Sequence, residues 1–525
     1  MCLCGSEKTQ FRNELKSSIN AGRYTADYLL CGDLPYPAWK MRIPAHLSYR
    51  RIRRYLVWRL KRLEARDFSH VRIEFLIHLH SISVRYKGET VLEGAWAPFS
   101  LNDPQMMHSL SKIGTSICVG FAVDEGKLHL EDHLLDYVRE ELPAAYDEAM
   151  EDITIYDLLT MQAGSKECCN NVWFSRIEKD WETNWLKQPK IREDIGKVFH
   201  YDSGCSYTLS RIVSKVMGEN CLSIMQKRVF DKMGLGRINW LTSPEGHNTG
   251  GWGMYLTAPQ ISALAQLLLQ KGNWKGEQLV PSWWIEEMGK PRVEIPGDEK
   301  KALTHYAYHI KAGKEIFAAE GAFGQYLICF RDLPVAIGIT AGAREYLAAD
   351  ICLKYIKEAV SEPCKEEQLE AAEKALRTKI NSLSLVQPEG AFRTARQEAA
   401  RLFDRKILFT ENPRKIESAV LTKEGYRIKI EAVIDGEQKV LYAGYKAWKC
   451  NDLYPSDFTK RYHSVAYAMD AEALYLSVGL INTSYKEEYC LWVNSEDKVI
   501  ATWRPNVTYL PEEPDMVWKF TGTFE

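Results

Sequence analysis

Two stretches of alternating sequence, far apart in the chain, most constrain what it can fold into. Phe75 to Tyr86 and Thr90 to Trp96 alternate around Lys87-Gly88-Glu89, which predicts two strands joined by a tight turn. Strand-like sequence next returns over residues 305–341, notably from Phe323 to Thr340. The intervening residues have helical character: an apolar run from Ile113 to Ala122, a helix starting in 153–162, a long helical stretch over 206–234 with two Gly breaks, and an amphipathic helix over 257–271. An isolated hairpin is marginal in water, so the early and late strands are expected to share one sheet. Residues 71–360 therefore read as one α+β domain, an α/β sandwich with an antiparallel sheet flanked by helices and a helical subdomain inserted between its strands.

The composition shifts near residue 361. Ser361-Glu362-Pro363-Cys364-Lys365-Glu366-Glu367 reads as a charged linker running into a polar helix at 366–381, within a helical linker assigned to 361–415. From 416 to 525 the pattern is alternating and turn-punctuated, with Asp435-Gly436 as a hairpin turn, which predicts a separate antiparallel, barrel-like β domain. This domain is open to three roles: a lid over the site, a homodimer contact or a ligand cup. Residues 1–70 read as a helical extension packed on the 71–360 domain. Its run from Arg50 to Leu63 puts Ile52, Leu56, Leu60 and Leu63 on one stripe with most arginines opposite, expected to be a docked helix with a solvated basic face.

A chain of 525 residues exceeds one typical core, so several domains are expected. A net charge of −2 gives no bias toward nucleic acid or an anionic membrane, and neither is expected as a partner. The start lacks the pattern of a signal peptide, and no window reaches the roughly 18 apolar residues of a membrane span. Thirteen cysteines are scattered without zinc-like spacing, so they are expected to be reduced thiols, no metal or cofactor is implied, and a cytoplasmic location is expected.

Ser109-Leu110-Ser111-Lys112 precedes the apolar helix. Residues three apart share a helical face, so the lysine amine can reach the serine oxygen. Burial would lower the lysine pKa and let it act as base, while helix N–H groups would favour an oxyanion. Phe199-His200-Tyr201-Asp202-Ser203-Gly204 offers a tyrosine for proton transfer and a second hydroxyl, Ser203. Ala319-Glu320-Gly321-Ala322-Phe323-Gly324-Gln325 heads an apolar strand whose small residues admit a substrate carbonyl. Trp252, in a loop rich in glycine, is the best aromatic candidate for a pocket wall, ahead of Trp173, Trp181, Trp185 and Tyr255. The absence of a G-x-S-x-G elbow argues against an α/β-hydrolase.

In their order these segments resemble the serine β-lactamase, penicillin-binding-protein and esterase superfamily, in its class C-like branch. The resemblance runs from Phe75 to Ala341 and includes Ile153-Thr154-Ile155-Tyr156-Asp157-Leu158-Leu159-Thr160-Met161-Gln162-Ala163-Gly164 and Thr249-Gly250-Gly251-Trp252-Gly253-Met254-Tyr255-Leu256-Thr257. It implies Ser109 as nucleophile, Lys112 as its base, Tyr201 completing proton transfer, and Ala322 with Ser109 as oxyanion donors. Gly321 matches the glycine of the family's Lys-Thr-Gly strand. Ser203, Trp252, Glu320, Gly321, Phe323 and Gln325 are the expected substrate contacts. The implied reaction is hydrolysis of a small-molecule amide or ester through an acyl-enzyme.

Two departures modify this expectation. Tyr201-Asp202-Ser203 replaces Tyr-x-Asn, and Ala319-Glu320-Gly321 replaces Lys-Thr-Gly, as in the esterase and amidase branch that resembles the nylon-oligomer hydrolases. β-Lactam hydrolysis is then at most a side activity. Glu320 either favours a neutral or cationic substrate end or points outward from its strand. A D-amino-acid peptidase or penicillin-recognising enzyme, and an inactive ligand-binding member, are the alternatives.

Overall fold

The computed structural model describes residues 78–298, 301–343, 348–361, 369–388, 398–452, 462–470, 472–507 and 517–525. The helical extension expected over 1–70, with its basic run, lies outside the described residues. Strands β1 (Leu79–Tyr86) and β2 (Glu89–Ala95) form the first hairpin. Lys87 and Gly88 at its tip both have positive φ, 52° and 85°, the turn whose twist suits paired strands.

Helix α1 (Lys112–Asp124) follows, then α2 (Ser203–Met217) and α3 (Ala258–Leu269). Helix α1 is apolar on every side and is buried from Lys112 to Ala122, as a central helix must be. Gly120 lets it approach Trp284: a Cβ there would lie 2.4 Å from the indole ring. Helix α3 opens on a capping box between Thr257 and Gln260. The chain then returns to the sheet through β3 (Val293–Glu294), β4 (His305–Tyr306), β5 (Lys311–Ala312), β6 (Ile316–Gly321), β7 (Gln325–Phe330) and β8 (Val335–Ala341).

Strand β1 pairs with β8, from Leu79 opposite Ala341 to Tyr86 opposite Val335. The order is β2-β1-β8-β7-β6-β5-β4-β3, with antiparallel neighbours throughout, so both ends of the segment build one sheet. Alternation sends the side chains of the central strands two ways. Ile316, Ala318, Ile328, Ile337 and Ile339 pack with Ala349, Ile356 and Ala359 of α4 (Ala348–Ser361). Phe317, Ala319, Leu327, Cys329 and Ala336 join the larger core around α1 and α3. Helix α5 (Leu369–Ser382) then leads toward the C-terminal unit.

That unit contains β9 (Lys406–Phe409), β10 (Ile416–Glu424), β11 (Arg427–Ile434), β12 (Glu437–Tyr445), β13 (Lys449–Asp452), β14 (Tyr462–Met469), β15 (Ala473–Leu480), β16 (Lys486–Val493), β17 (Lys498–Pro505) and β18 (Trp518–Phe524). Nine of these strands close into a barrel, and β13 pairs outside it on β14. Two expectations are corrected. The first barrel strand, β9, lies ahead of residue 416, and the closure is not wholly antiparallel. Strands β12 and β14 pair in parallel, Gly444 opposite Ala466. The short strand β13 adds a second reversal of direction between them, so β14 runs the same way as β12. Ile407, Leu421, Ile428, Leu474, Val499 and Phe520 belong to the apolar cluster that fills the unit. Among the described residues no helix is long and apolar enough to cross a membrane.

Candidate active site

Ser109 sits in a 3-10 turn, His108–Ser111, that runs directly into α1, whose first residue is Lys112. Ser109 is half-buried while its neighbours His108 and Leu110 are buried, so the hydroxyl stands at the accessible point of a fixed backbone. Lys112 is 1% exposed. Its Nζ lies 3.3 Å from Ser109 Oγ, 3.0 Å from Ser203 Oγ and 2.9 Å from the Gly251 carbonyl oxygen. Burial pushes the amine down to about 7, against the partial opposition of Cys168, Asp202 and Cys205. A neutral amine has two N–H donors and one lone pair. The Gly251 carbonyl can only accept and Ser203 can take the second N–H, which leaves the lone pair for the Ser109 proton.

The Tyr201 ring covers the same amine, with its centroid 4.8 Å from Nζ, and packs edge-on to Tyr306. Tyr201 and Ser203 flank Asp202, the N-cap of α2. The Asp202 carboxylate is fully buried and accepts from the N–H groups of Gly204 and Cys169, the Ser165 hydroxyl and the Trp185 indole. Each oxygen serves two donors, which fixes the loop that carries both site hydroxyls. The sequence reading gave Asp202 no role, although an Asp directly before a helix is an N-cap signal. Gly251, whose carbonyl orients Lys112, was also missed, since a backbone oxygen leaves no sequence mark.

Gly321 ends β6, and Ala322, Phe323 and Gly324 make the turn into β7. A Cβ at Gly321 would lie 2.1 Å from the Met107 carbonyl, so only glycine lets this turn close on the Ser109 segment. Among the described residues, no turn or loop hydrogen bond takes the N–H of Ser109 or of Ala322.

Four expected substrate contacts are placed differently. Glu320 lies on the Ile316 and Ala318 side of β6 and forms an ion pair with Lys311 at 2.6 Å, lining a small cavity with Asp350 of α4. Strand alternation turns it away from Ala319 and Gly321. Gln325 is fully buried and bonds to Ala341, the Ala322 carbonyl and Ser484, so it holds the turn. The Trp252 indole is 7% exposed and lies against Trp181 and Phe174 in the core; this loop supplies its backbone to the site. Phe323 packs at right angles to the His108 ring and also against Tyr485 of the barrel turn.

His309 was also unforeseen. Its φ is 60°, its Nδ1 lies 3.0 Å from the Leu159 carbonyl, and its buried Nε2 has no hydrogen-bond partner among the described residues. Burial and the Lys112 charge push its pKa down to about 3, so the ring is neutral and Nε2 carries a lone pair. A histidine alone in sequence gives no sign of this placement.

The model of the Beta-lactamase family matches residues 80–350, more than half of the chain. The protein belongs to the Beta-lactamase family. This family member is 22% identical over 232 residues to a 6-aminohexanoate-dimer hydrolase of Paenarthrobacter ureafaciens, covering 41% of this chain and 57% of that protein. It is 26% identical over 179 residues to a lovastatin esterase of Penicillium rubens, covering 30% and 44%. The match thus spans about half the length of these curated relatives. Among solved structures, the octameric penicillin-binding protein homologue from Pyrococcus abyssi matches with a TM-score of 0.45 and 13% identity, covering 88% of this chain and 99% of that one.

Proposed function

We propose that this protein is a serine hydrolase that cleaves an amide or ester bond of a small molecule through an acyl-enzyme on Ser109. The observation that carries the reading is the Lys112 amine, fully buried and held by the Gly251 carbonyl and Ser203 with Ser109 in reach. As the Ser109 oxygen attacks the substrate carbonyl carbon, its proton passes to Lys112 Nζ. The carbonyl oxygen becomes an oxyanion held by the N–H groups of Ser109 and Ala322. When the intermediate collapses, the C–N or C–O bond breaks and the leaving group takes a proton through Tyr201. Water then attacks the acyl carbon and releases the acid, returning Ser109 to its starting state.

Both curated relatives carry hydrolase names, which supports acyl transfer in general. Specificity follows from the departures at the strand. It has no lysine for a substrate carboxylate, and the one carboxylate there is engaged by Lys311 on the other side of the sheet. Uncharged acyl groups are therefore the expected substrates, with β-lactams poor ones.

Intact-mass analysis after treatment with a fluorophosphonate tests the reading. The expected result is one adduct on the wild type and none on Ser109→Ala. A folded wild type that takes no adduct, or an adduct that persists in Ser109→Ala, overturns it. Unlabelled wild type should then turn over p-nitrophenyl esters of uncharged acids faster than a chromogenic cephalosporin, and the labelled protein should turn over neither.

A further inference from the structure

The turn between β15 and β16 reaches from the barrel into the catalytic unit. Met106 N–H donates to the Asn482 carbonyl at 3.0 Å, and Asn482 Nδ2 donates to the Pro104 carbonyl at 2.9 Å. Asn506, at the end of the barrel strand β17, ties the Gly342 and Ser484 carbonyls together through one amide nitrogen, 3.0 Å from each. Gly342 runs so close that a Cβ would lie 2.3 Å from the Ser484 carbonyl. This contact adjoins the site: Met106 lies just ahead of the Ser109 turn, and Ala343, next to Gly342, donates its N–H to the carbonyl of Phe323, the neighbour of Ala322.

Ser484 is fully buried at the centre of the contact. Its hydroxyl accepts from Gln325 Nε2 at 2.9 Å and lies 3.4 Å from His108 Nε2. His108 immediately precedes Ser109, and Gln325 closes the turn that contains Ala322. Both turns are held in unfavourable backbone geometry: φ is 46° at His108 and 65° at Phe323. Such conformations persist only where the surroundings over-determine them. Here the surroundings are partly the barrel, since Tyr485 packs against the Phe323 ring and Ser484 reaches His108.

We propose that Ser484 is a positioning residue for the Ser109 site: its hydroxyl links His108 to Gln325 and so sets the spacing of the two N–H groups offered to the oxyanion. One hydroxyl can accept the glutamine N–H and donate its own proton to the imidazole. Burial holds the His108 pKa down near 3, so the ring remains neutral and can accept that proton over the working range. The barrel thereby contributes to the catalytic geometry without touching substrate. The inference rests on Ser109 being the acylated residue.

The experiment compares full-length wild type, Ser484→Ala and Asn482→Ala. Three rates are read: Ser109 labelling by a fluorophosphonate, and hydrolysis of p-nitrophenyl butyrate and of its thiono analogue. Sulfur is larger and a poorer hydrogen-bond acceptor than oxygen, so the oxo-to-thiono rate ratio reports on the oxyanion donors. For Ser484→Ala the expected result is a loss of about tenfold in kcat and in labelling, as for a small misplacement of reacting groups, with KM within about twofold. The oxo-to-thiono ratio should also shrink. Asn482→Ala removes a docking bond outside the His108–Gln325 link and should keep the wild-type kcat and ratio. The inference is overturned if Ser484→Ala keeps the wild-type kcat and ratio, or if Asn482→Ala reproduces its losses, since docking alone would then account for them. A wild type that is not labelled on Ser109 instead overturns the functional reading beneath it.

Discussion

Lys112 and Glu320 show at the level of single residues how far a motif reaches. The spacing of Ser109 and Lys112 was legible because one local turn decides whether the two can meet. The lysine's buried setting was legible too, from the apolar run that follows it. A pH prediction follows. With its pKa near 7, Lys112 is protonated below that value and has no lone pair for the Ser109 proton. The kcat/KM for an uncharged ester should rise with pH through about 7 and then level off, measured from about pH 5 to about pH 9. A profile flat across neutrality would remove Lys112 as the base. Glu320 was not legible in this way. Its role turned on which side of β6 it faced, and Lys311 on the neighbouring strand takes its charge.

Among the elements, α2 matters most to the site because its first turn fixes Tyr201 and Ser203. Asp202 does this through four donors shared between two oxygens. In Asp202→Asn one oxygen would be replaced by an NH₂ group facing the Ser165 hydroxyl and Trp185 indole, or the two backbone N–H groups. Leaving buried donors unsatisfied costs about 1–3 kcal/mol, so thermal denaturation should show a Tm lower by several degrees. The kcat should fall with it, because the loop that orients Lys112 loosens. An unchanged Tm would show that the carboxylate is dispensable. The barrel strands illustrate what element-level reading misses: β9 and β13 span four residues each, too short to establish an alternating pattern. The Asp435-Gly436 turn was legible because both of its residues need positive φ, 51° and 77°.

On the scale of the whole molecule, the catalytic unit and the barrel meet through buried polar bonds and an aromatic contact rather than through a bare linker. Gln325 and Asn506 each bond to both sides of the seam. Loss of either unit would leave buried donors of the other without partners, which couples their unfolding. Calorimetry of the full chain should therefore show one cooperative transition; two well-separated transitions would show that the seam contributes little. The barrel turn reaches the catalytic unit at Met106, Pro104 and Gln325, through Asn482 and Ser484.

By itself the sequence determined the features that depend on neighbours in the chain. These are the first hairpin and its turn, the apolar helix after Ser109, the amphipathic helix α3, and the serine–lysine pair. Its order of strands and helices also required one sheet built from both ends of the segment. Only the tertiary structure decided what depends on distant partners: the Gly251 carbonyl on Lys112, the Lys311 pair that occupies Glu320, the parallel seam of the barrel and the Ser484 link beside the site. The physical reason is that such contacts are chosen by packing between segments far apart in sequence, where periodicity and turn chemistry carry no information about register or facing.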